Sequence, residues 1–536
     1  MPHSPLLGHE RSAATTATSR NPAWLTEKIV KRLSTHISAV DGAPDTTHVA
    51  PYTLSPIATL PLSNAVDVAA SYHRARGVQE SWKQTGIRAR AAVMLRFHDL
   101  VLARQDEVLD LIQLENGKSR KDAFLEVADV AITARYYARR AGALLKPHRR
   151  RGALPILTKT VEHHQPKGVI SVISPWNYPF SLAVGDIIAA LLAGNTVVHK
   201  PDRQTALTAL WALDLMREAG LPEFAWQMVL GAGADLGDAL MAGGDYMMFT
   251  GSTDSGRRIA REAGQRLIGC SLELGGKNAL VVLPDADLDR AAEGAVRACF
   301  ASSGQLCISI ERIYVPRALE SVFLAKFSSR VALMKMGTAL DYSCDMGSLS
   351  SPAQLATVLD HVDDARAKGA VVVAGGHPLP DIGPLFFAPT VLSGVTESMT
   401  CHSEETFGPV VSVYTYDDVD DAVRMVNSSR YGLNASVWTA NGRRGAKFAA
   451  RLRAGTVNVN EAYAAAWASV DSPMGGMGDS GLGRRHGAEG ILKYTEAQTV
   501  AQQRILGFSP PRGMSYPTWA SLLTTALTTM KKARLS

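Results

Sequence analysis

Lys167-Gly168-Val169-Ile170-Ser171-Val172-Ile173-Ser174, followed by Pro175-Trp176-Asn177-Tyr178-Pro179, is a short Val/Ile run that ends in a loop pinned by two prolines. Such a run, too short for a helix and rich in β-branched residues, reads as a strand. The pattern then alternates. Ile187 to Leu192 reads as helix, Thr196 to His199 as strand, Thr205 to Ala219 as helix and Trp226 to Leu230 as strand. Tyr246 to Thr250 is another strand and Ser255 to Gly264 another helix. Strands separated by helices imply a parallel sheet covered on both faces, an α/β fold.

Working outward, the alternation resumes after residue 278. Strands are expected at Ala279 to Leu283, Glu311 to Val315, Val371 and Val410, and helices at Leu288 to Ala301, Ala318 to Met334 and Pro352 to Lys368. Two α/β blocks therefore meet near residues 270–278. On the N-terminal side, helical spacing runs through Leu25 to Val40, Asn64 to Trp82, Arg88 to Asn116 and Ala123 to Leu145, and His148 to Gly152 reads as a basic turn. Residues 1–22, rich in Ser, Thr, Ala and Arg, read as a disordered start rather than a transit peptide.

Bulk numbers narrow the function classes. A chain of 536 residues exceeds one compact core, so two or more domains are expected. The net charge of +6 is spread along the chain, which excludes a dedicated nucleic-acid surface. No segment has the ~18–20 uninterrupted apolar residues of a membrane span. Five cysteines (Cys270, Cys299, Cys307, Cys344 and Cys401) without a CxxC pair argue against a disulfide framework and against a metal site. A cytoplasmic enzyme with one reactive thiol fits this usage.

Four loops carry residue types suited to chemistry. Cys307, in Gly304-Gln305-Leu306-Cys307, lies between a helix and a strand, where a thiol can be both held and reached. Glu273, in Glu273-Leu274-Gly275-Gly276-Lys277, precedes paired glycines that permit close packing, and a carboxylate held there can act as a general base. Asn177 sits on the proline-bounded loop, where its amide can donate to an oxyanion. Phe249-Thr250-Gly251-Ser252-Thr253-Asp254-Ser255-Gly256 is a strand entering a helix through a Gly-containing turn, a place that favours phosphate. Its Gly-x-x-x-x-Gly spacing departs from the dinucleotide fingerprint. Gly231-Ala232-Gly233-Ala234-Asp235-Leu236-Gly237 reads as a loop and helix start without a ligand role. Read singly, each has a plain alternative: a buried thiol, a surface Glu, a turn-forming Asn.

In this order and spacing the loops resemble the aldehyde dehydrogenase superfamily from about Leu25 to Val500. The resemblance rests on Pro175 to Pro179, Lys200-Pro201, Phe249 to Ser252, Glu273 to Lys277, Gly304 to Cys307 and Glu405-Thr406-Phe407-Gly408-Pro409. It implies an aldehyde dehydrogenase fold: a Rossmann-like cofactor domain (23–155 and 167–273), an α/β catalytic domain (274–480) and a β oligomerisation arm (156–166 and 490–505), with 506–536 as a tail. It also implies Cys307 as covalent nucleophile, Glu273 as base and Asn177 with the Cys307 N–H as oxyanion donors. Trp176, Asn177, Lys200, Asp202, Arg203, Gly251, Ser252, Leu274, Glu405 and Phe407 match cofactor contacts. A homodimer or homotetramer is implied by the arm, and a small-molecule aldehyde by the site.

Cofactor and substrate are narrower expectations. NAD-preferring members often carry Glu where this chain has Arg203. A guanidinium there can pair with a 2′-phosphate, so NADP is expected, with NAD possible. The runs Gly304 to Arg312, Met474-Gly475-Gly476-Met477-Gly478, Gly483-Arg484-Arg485-His486-Gly487 and Asp381 to Phe386 look like NADP-dependent succinate-semialdehyde dehydrogenases of actinobacterial type. Many such enzymes bind the substrate carboxylate with an Arg six residues before the Cys, where this chain has Ala301. With Phe180, Tyr463 and Trp467 expected in the funnel, apolar fatty or aromatic aldehydes stand as the alternative. An acylating enzyme that uses coenzyme A and an inactive scaffold of the same fold rank below, because Cys307, Glu273 and Asn177 are all present. In the tail, Trp519, Leu523, Leu527 and Met530 make one helical face, expected to dock on protein rather than membrane.

Overall fold

A computed structural model describes residues 21–152, 158–504 and 507–532. Most of the N-terminal start, the first residues of the expected arm (156 and 157) and the basic end of the tail at Arg534 lie outside the described residues.

The strand Val169–Ile173 is the hub of a six-stranded sheet. In space the order is Gly481–Leu482, Gly269–Glu273, Tyr246–Thr250, Val169–Ile173, Thr196–Lys200, Trp226–Met228. Gly481–Leu482 pairs antiparallel and the rest are parallel. Covered on both faces, the central strands are buried at nearly every position and mostly apolar, as parallel sheets require. The chain runs outward from Val169–Ile173 on one side, then returns to add Tyr246–Thr250 on the other. That reversal opens a crevice at the carboxyl ends of these two strands, the place where doubly wound sheets bind ligands. Pro175–Asn177 and Gly251–Ser252 are the loops that emerge there.

The helix Ser181–Leu192 shows why this half packs as it does. It is apolar on all sides, and every residue but Leu182 is buried. A helix of that kind belongs in a core. Its one charged residue, Asp186, is buried with it.

A second sheet of seven strands has the order Val371–Ala374, Thr390–Ser393, Val410–Tyr416, Ile310–Pro316, Asn278–Val282, Asn434–Trp438, Thr456–Val459. The first sheet receives Gly269–Glu273 and the second begins at Asn278, so the chain changes sheets across Leu274-Gly275-Gly276-Lys277. Thr495–Gln503 pairs with Thr158–Pro166, which also pairs with His148–Arg150, in a separate three-stranded sheet. Thr495–Gln503 is an edge, and only Thr495 in it is buried.

Several local expectations are corrected. Arg88 to Asn116 is two helices, Ile87–Ala103 and Gln105–Asn116, broken at Arg104. The break lets Arg104 pair with Glu107 and Glu218. His148 to Gly152 is not a turn: His148–Arg150 is a strand whose ladder partner, Thr160–Glu162, lies outside its local sequence. A hairpin of Asp45–Val49 and Pro56–Pro61 was not legible, because Pro56 and Pro61 read as strand breakers. Both prolines lie at the ends of their strand. The tail forms a helix, Tyr516–Lys532, which buries Trp519 and leaves Leu522 and Leu527 exposed.

Candidate active site

Cys307 is set by a distorted loop. After the helix Leu288–Phe300, Ser302, Ser303 and Gly304 all have positive φ (51°, 57° and 71°). Ser and Gly in succession in the left-handed region cost strain unless the surroundings hold them. Here they do. Ser302 N–H donates to Asp122 (2.8 Å) and its hydroxyl to Tyr178 (3.0 Å). Ser303 Oγ donates to Gly347 O (3.0 Å), and the fully buried Gln305 caps the turn. A Cβ at Gly304 would sit 2.1 Å from Gly408 O, so only glycine permits this approach. Asn278, at the start of the strand that pairs with Ile310–Pro316, then donates to Cys307 O (2.7 Å) and fixes the residue.

Glu273 ends its strand at the base of the same space. Among the described residues, its Oε1 is a buried side-chain oxygen without a hydrogen-bond partner. Burial raises its carboxyl to about 7. Burial, then the Glu405 and Glu273 carboxylates, push the Cys307 thiol up to about 12. The resting thiol is therefore protonated at neutral pH, and a carboxylate poised near neutrality stands beside it.

Asn177 donates through Nδ2 to Gln305 O (3.0 Å), which ties the proline-bounded loop to the Cys307 loop. Its own carbonyl accepts from Lys118 Nζ (2.6 Å). Lys118 is buried and paired with buried Glu126 at 2.6 Å, and its ammonium lies 3.6 Å from the Tyr178 ring centre. Glu126 in turn accepts from Phe180 N and Ser181 N at the start of the helix Ser181–Leu192.

A cavity of about 250 Å³ joins these groups to the cofactor candidates: Trp176, Asn177, Gly251, Ser252, Glu273, Leu274, Cys307, Glu405 and Phe407 all line it. Ser252 caps the helix Thr253–Gln265 by accepting from Ser255 N. Glu405 accepts from Gly276 N (2.7 Å), and burial followed by nearby Glu311 raises its carboxyl to about 8. A Cβ at Gly275 would meet Glu405 Oε2 at 2.2 Å, so the glycine is the space this carboxylate occupies. Phe407 meets Trp176 edge to face at 5.5 Å and has φ 51°. Gln354, unmarked in the sequence, holds it through the Thr406 and Phe407 carbonyls.

The remaining candidates, Lys200, Asp202 and Arg203, line a different cavity of about 420 Å³. Lys200 is buried, and burial lowers its ammonium. Arg203 is exposed. Asp202 is half-buried and caps the turn Arg203–Thr205, accepting from Gln204 N (2.9 Å). Gly231, Ala232 and Gly233 line this cavity too, and the helix Gly233–Gly243 begins there. That segment reads in sequence as a loop and helix start without a ligand role; the structure sets it beside Lys200 and Arg203. Buried ammonium, exposed guanidinium and a helix start suit an anion.

On the other side of Cys307 is a narrow pocket of about 30 Å³. Its wall is mostly apolar, with Leu182, Leu306, Ile308, Leu433, Trp467 and Met474. Glu273, Thr250, Tyr178, Tyr463 and Arg485 add polar groups. Phe180, expected here, is elsewhere: it is fully buried and packs on Trp211 at 5.9 Å. The helix begins one residue later, and its first turn turns Leu182 rather than Phe180 to the pocket. Ala301 and Tyr463 border a wider cleft of about 710 Å³.

Thiol, carboxylate and amide thus converge between two cavities suited to a long polyanionic ligand and a narrow pocket suited to a small carbonyl compound. Residues 39–500 match the aldehyde dehydrogenase family. The chain is 52% identical over 476 residues to a protein of Mycolicibacterium smegmatis named "Putative succinate-semialdehyde dehydrogenase [NADP(+)]", covering 89% of this chain and 92% of that one. It is 51% identical over 496 residues to a similarly named protein of Mycobacterium tuberculosis, covering 92% and 96%. An NAD+ complex of aldehyde dehydrogenase from Bacillus cereus superposes with a TM-score of 0.83 at 33% identity, covering 87% of this chain and 94% of that one. On sequence, fold and the convergence of these loops, the chain belongs to the aldehyde dehydrogenase family.

Proposed function

We propose that the chain oxidises succinate semialdehyde to succinate with NADP, using Cys307 as nucleophile and Glu273 as base. The observation that carries the chemistry is the shared position of Cys307 and Glu273, which both line the cofactor-side cavity and the substrate-side pocket. The substrate and the preferred cofactor follow from the names of the mycobacterial relatives together with Arg203.

The cofactor fits the residues present. Gly251 and Ser252 at a capped helix start, with Trp176, Phe407 and Glu405, offer a cradle near Cys307, and Lys200 with Arg203 offers cations at the far cavity. Bound NADP would supply the hydride acceptor. NAD remains usable in this reading, since a structural neighbour is an NAD+ complex.

The thiol must lose its proton as sulfur attacks the aldehyde carbon, and Glu273 is the nearby acceptor. The C–S bond forms and the carbonyl oxygen becomes an oxyanion. In this reading the Asn177 N–H not taken by Gln305 O, together with the Cys307 N–H, donates to it. Loss of hydride from the carbon leaves a thioester on Cys307. Glu273, once it has released the thiol proton to solvent, takes a proton from water, which adds to the thioester and expels the thiolate, giving the acid.

The small pocket suits a short chain. The cleft beyond Tyr463 carries Lys121, Arg290, Arg297 and Arg330 against Asp122, Glu293 and Asp345, a slight positive excess that favours an anionic aldehyde. The apolar pocket wall and Ala301 support a second reading, oxidation of apolar aldehydes. Steady-state kinetics with succinate semialdehyde, butanal, hexanal and benzaldehyde, each with NADP and NAD, decides between them. A kcat/KM for succinate semialdehyde at least tenfold above butanal supports the first reading; equality, or a preference for hexanal, overturns it. The exposed edge Thr495–Gln503 supports a homodimer or homotetramer, checked by light scattering.

A further inference from the structure

The mechanism above leaves one buried cluster without a task. Asp186, Arg485, Lys493 and Tyr494 lie against the back of the reaction pocket. Asp186 Oδ1 accepts from Lys493 Nζ and Tyr494 OH, both at 2.9 Å. Its other oxygen lies 3.1 Å from Arg485 Nη2, close enough for an ion pair but outside hydrogen-bond geometry. Arg485 is buried, lines the pocket with Glu273 and Cys307, and is the one cation among its described lining residues. Its far side borders a cavity of about 10 Å³ with Asp186 and His486, about the space of one water.

Beside Asp186 Oδ2 and His486 Nδ1, two further unsatisfied atoms mark the arrangement. Arg485 Nε and Glu273 Oε1 are both buried and both without a partner. Buried polar groups are rarely left so, and each costs about 1–3 kcal/mol. A carboxylate that took a permanent bond from Arg485 would be fixed and too weak a base. One left free near the guanidinium keeps its lone pair for water or for the thiol proton, while still feeling the charge.

We propose that Arg485, tethered by Asp186, is the positioning residue whose positive charge keeps Glu273 and the Cys307 thiol usable as base and nucleophile in a dry pocket. The inference rests on the roles given above to Cys307 and Glu273. Its electrostatic sense is consistent at both groups: Arg485 opposes the upward push of burial on each. Lys493 and Arg484 act on Glu273 in the same direction and Asp186 acts against them. At Cys307 the Glu405 and Glu273 carboxylates oppose Arg485, and Asp186 is not among the contributors. Around Arg485 itself stand Asp186, Glu273, Asp129 and Tyr494, and burial together with its charge holds His486 neutral, at about 3.

The test uses the full chain and two readouts, alkylation of Cys307 by iodoacetamide against pH, and thioester hydrolysis against pH after a burst of reduced cofactor. Arg485→Gln should raise the hydrolysis midpoint by about one pH unit and slow alkylation about tenfold at each pH below the thiol's own midpoint. At pH 7, with Glu273 moved from about 7 to a unit higher, hydrolysis slows about fivefold, and well above both midpoints the rates converge. Arg485→Lys should bring both midpoints back toward the parent enzyme. Removing one member of a buried pair destabilises the fold, so Asp186→Asn with Arg485→Gln is measured alongside. The double variant loses the same guanidinium beside Cys307, so it should keep the slowed alkylation. Unshifted profiles in Arg485→Gln, parent-like alkylation in the double variant, or no return in Arg485→Lys, would overturn the inference. Alkylation unchanged in Cys307→Ala would instead overturn the reading of Cys307, which separates the two failures.

Discussion

Lys118→Met tests whether the pocket's amide is positioned from below. Lys118 and Glu126 are both fully buried and 2.6 Å apart. The ammonium also donates to Asn177 O at 2.6 Å, so it links the ion pair to the loop that carries the oxyanion donor. Met matches the stem and removes the charge. Glu126 would keep its bonds from Phe180 N and Ser181 N but lose its counter-charge in a fully buried site. Breaking one side of a buried pair costs about 3–5 kcal/mol. With an unfolding entropy of roughly 2.1 cal/mol/K per residue and 536 residues, about 1.1 kcal/mol per kelvin, the melting temperature should fall about 3–5 °C if the chain unfolds as one unit.

Replacing both partners behaves differently. Lys118→Met with Glu126→Gln leaves no lone charge, and the Gln carbonyl oxygen can still accept both backbone bonds that one Glu126 oxygen takes, so most of the lost stability should return. Activity should not return with it, because Asn177 O then keeps only the long 3.4 Å contact from Asn116. We expect kcat about tenfold below the parent in both variants, less than the 10²–10³ expected for deleting an oxyanion donor outright. Differential scanning fluorimetry and pre-steady-state absorbance of reduced cofactor measure the two effects separately. A double variant as unstable as the single one, or either variant with full burst rate, would refute this account of the network.

Glu273→Gln should give a burst of reduced cofactor followed by turnover slowed at least 100-fold, because thioester hydrolysis needs the base more than hydride loss does. In the parent enzyme, hydrolysis should rise through about pH 7, since the carboxylate form is the active one and burial places its midpoint there; a flat profile from pH 5 to 9 contradicts this. Arg203→Glu should move preference from NADP toward NAD by at least tenfold in kcat/KM, and a parent enzyme that already prefers NAD would void the argument. Deleting Pro510 to Ser536 should lower thermal stability or change the oligomer on size-exclusion chromatography, since the tail helix buries Trp519 and donates from its indole to Phe508 O; co-sedimentation with anionic liposomes, lost on deletion, would point to a membrane instead.

What could be read in advance follows from the range of the forces involved. The strand Tyr246–Thr250 matches its expected limits, because a buried parallel strand writes its burial into every side chain. The loops of Cys307, Glu273 and Asn177 were found because motifs in fixed order mark a site even before its geometry is known. His148–Arg150 was missed because its identity as a strand lies in Thr160–Glu162, not in itself. Phe180 was misplaced because one residue of helix phase separates the core from the pocket, and an aromatic suits either.

Arg485 escaped for a deeper reason. Arg484 and Arg485 are adjacent and alike in sequence, yet only Arg485 is buried behind Glu273. Met474 and Arg485 exchange backbone hydrogen bonds, which turns the second arginine inward. One local hint existed: Asp186 is a lone charge in a helix otherwise apolar on every face, and a lone charge in such a helix needs a cation from elsewhere. Its partners, Arg485 and Lys493, are some 300 residues away in the chain. Buried charge is thus legible one residue at a time, as a demand for a partner. Which partner meets it, and which catalytic group feels the result, is decided only when two distant segments close on the same pocket.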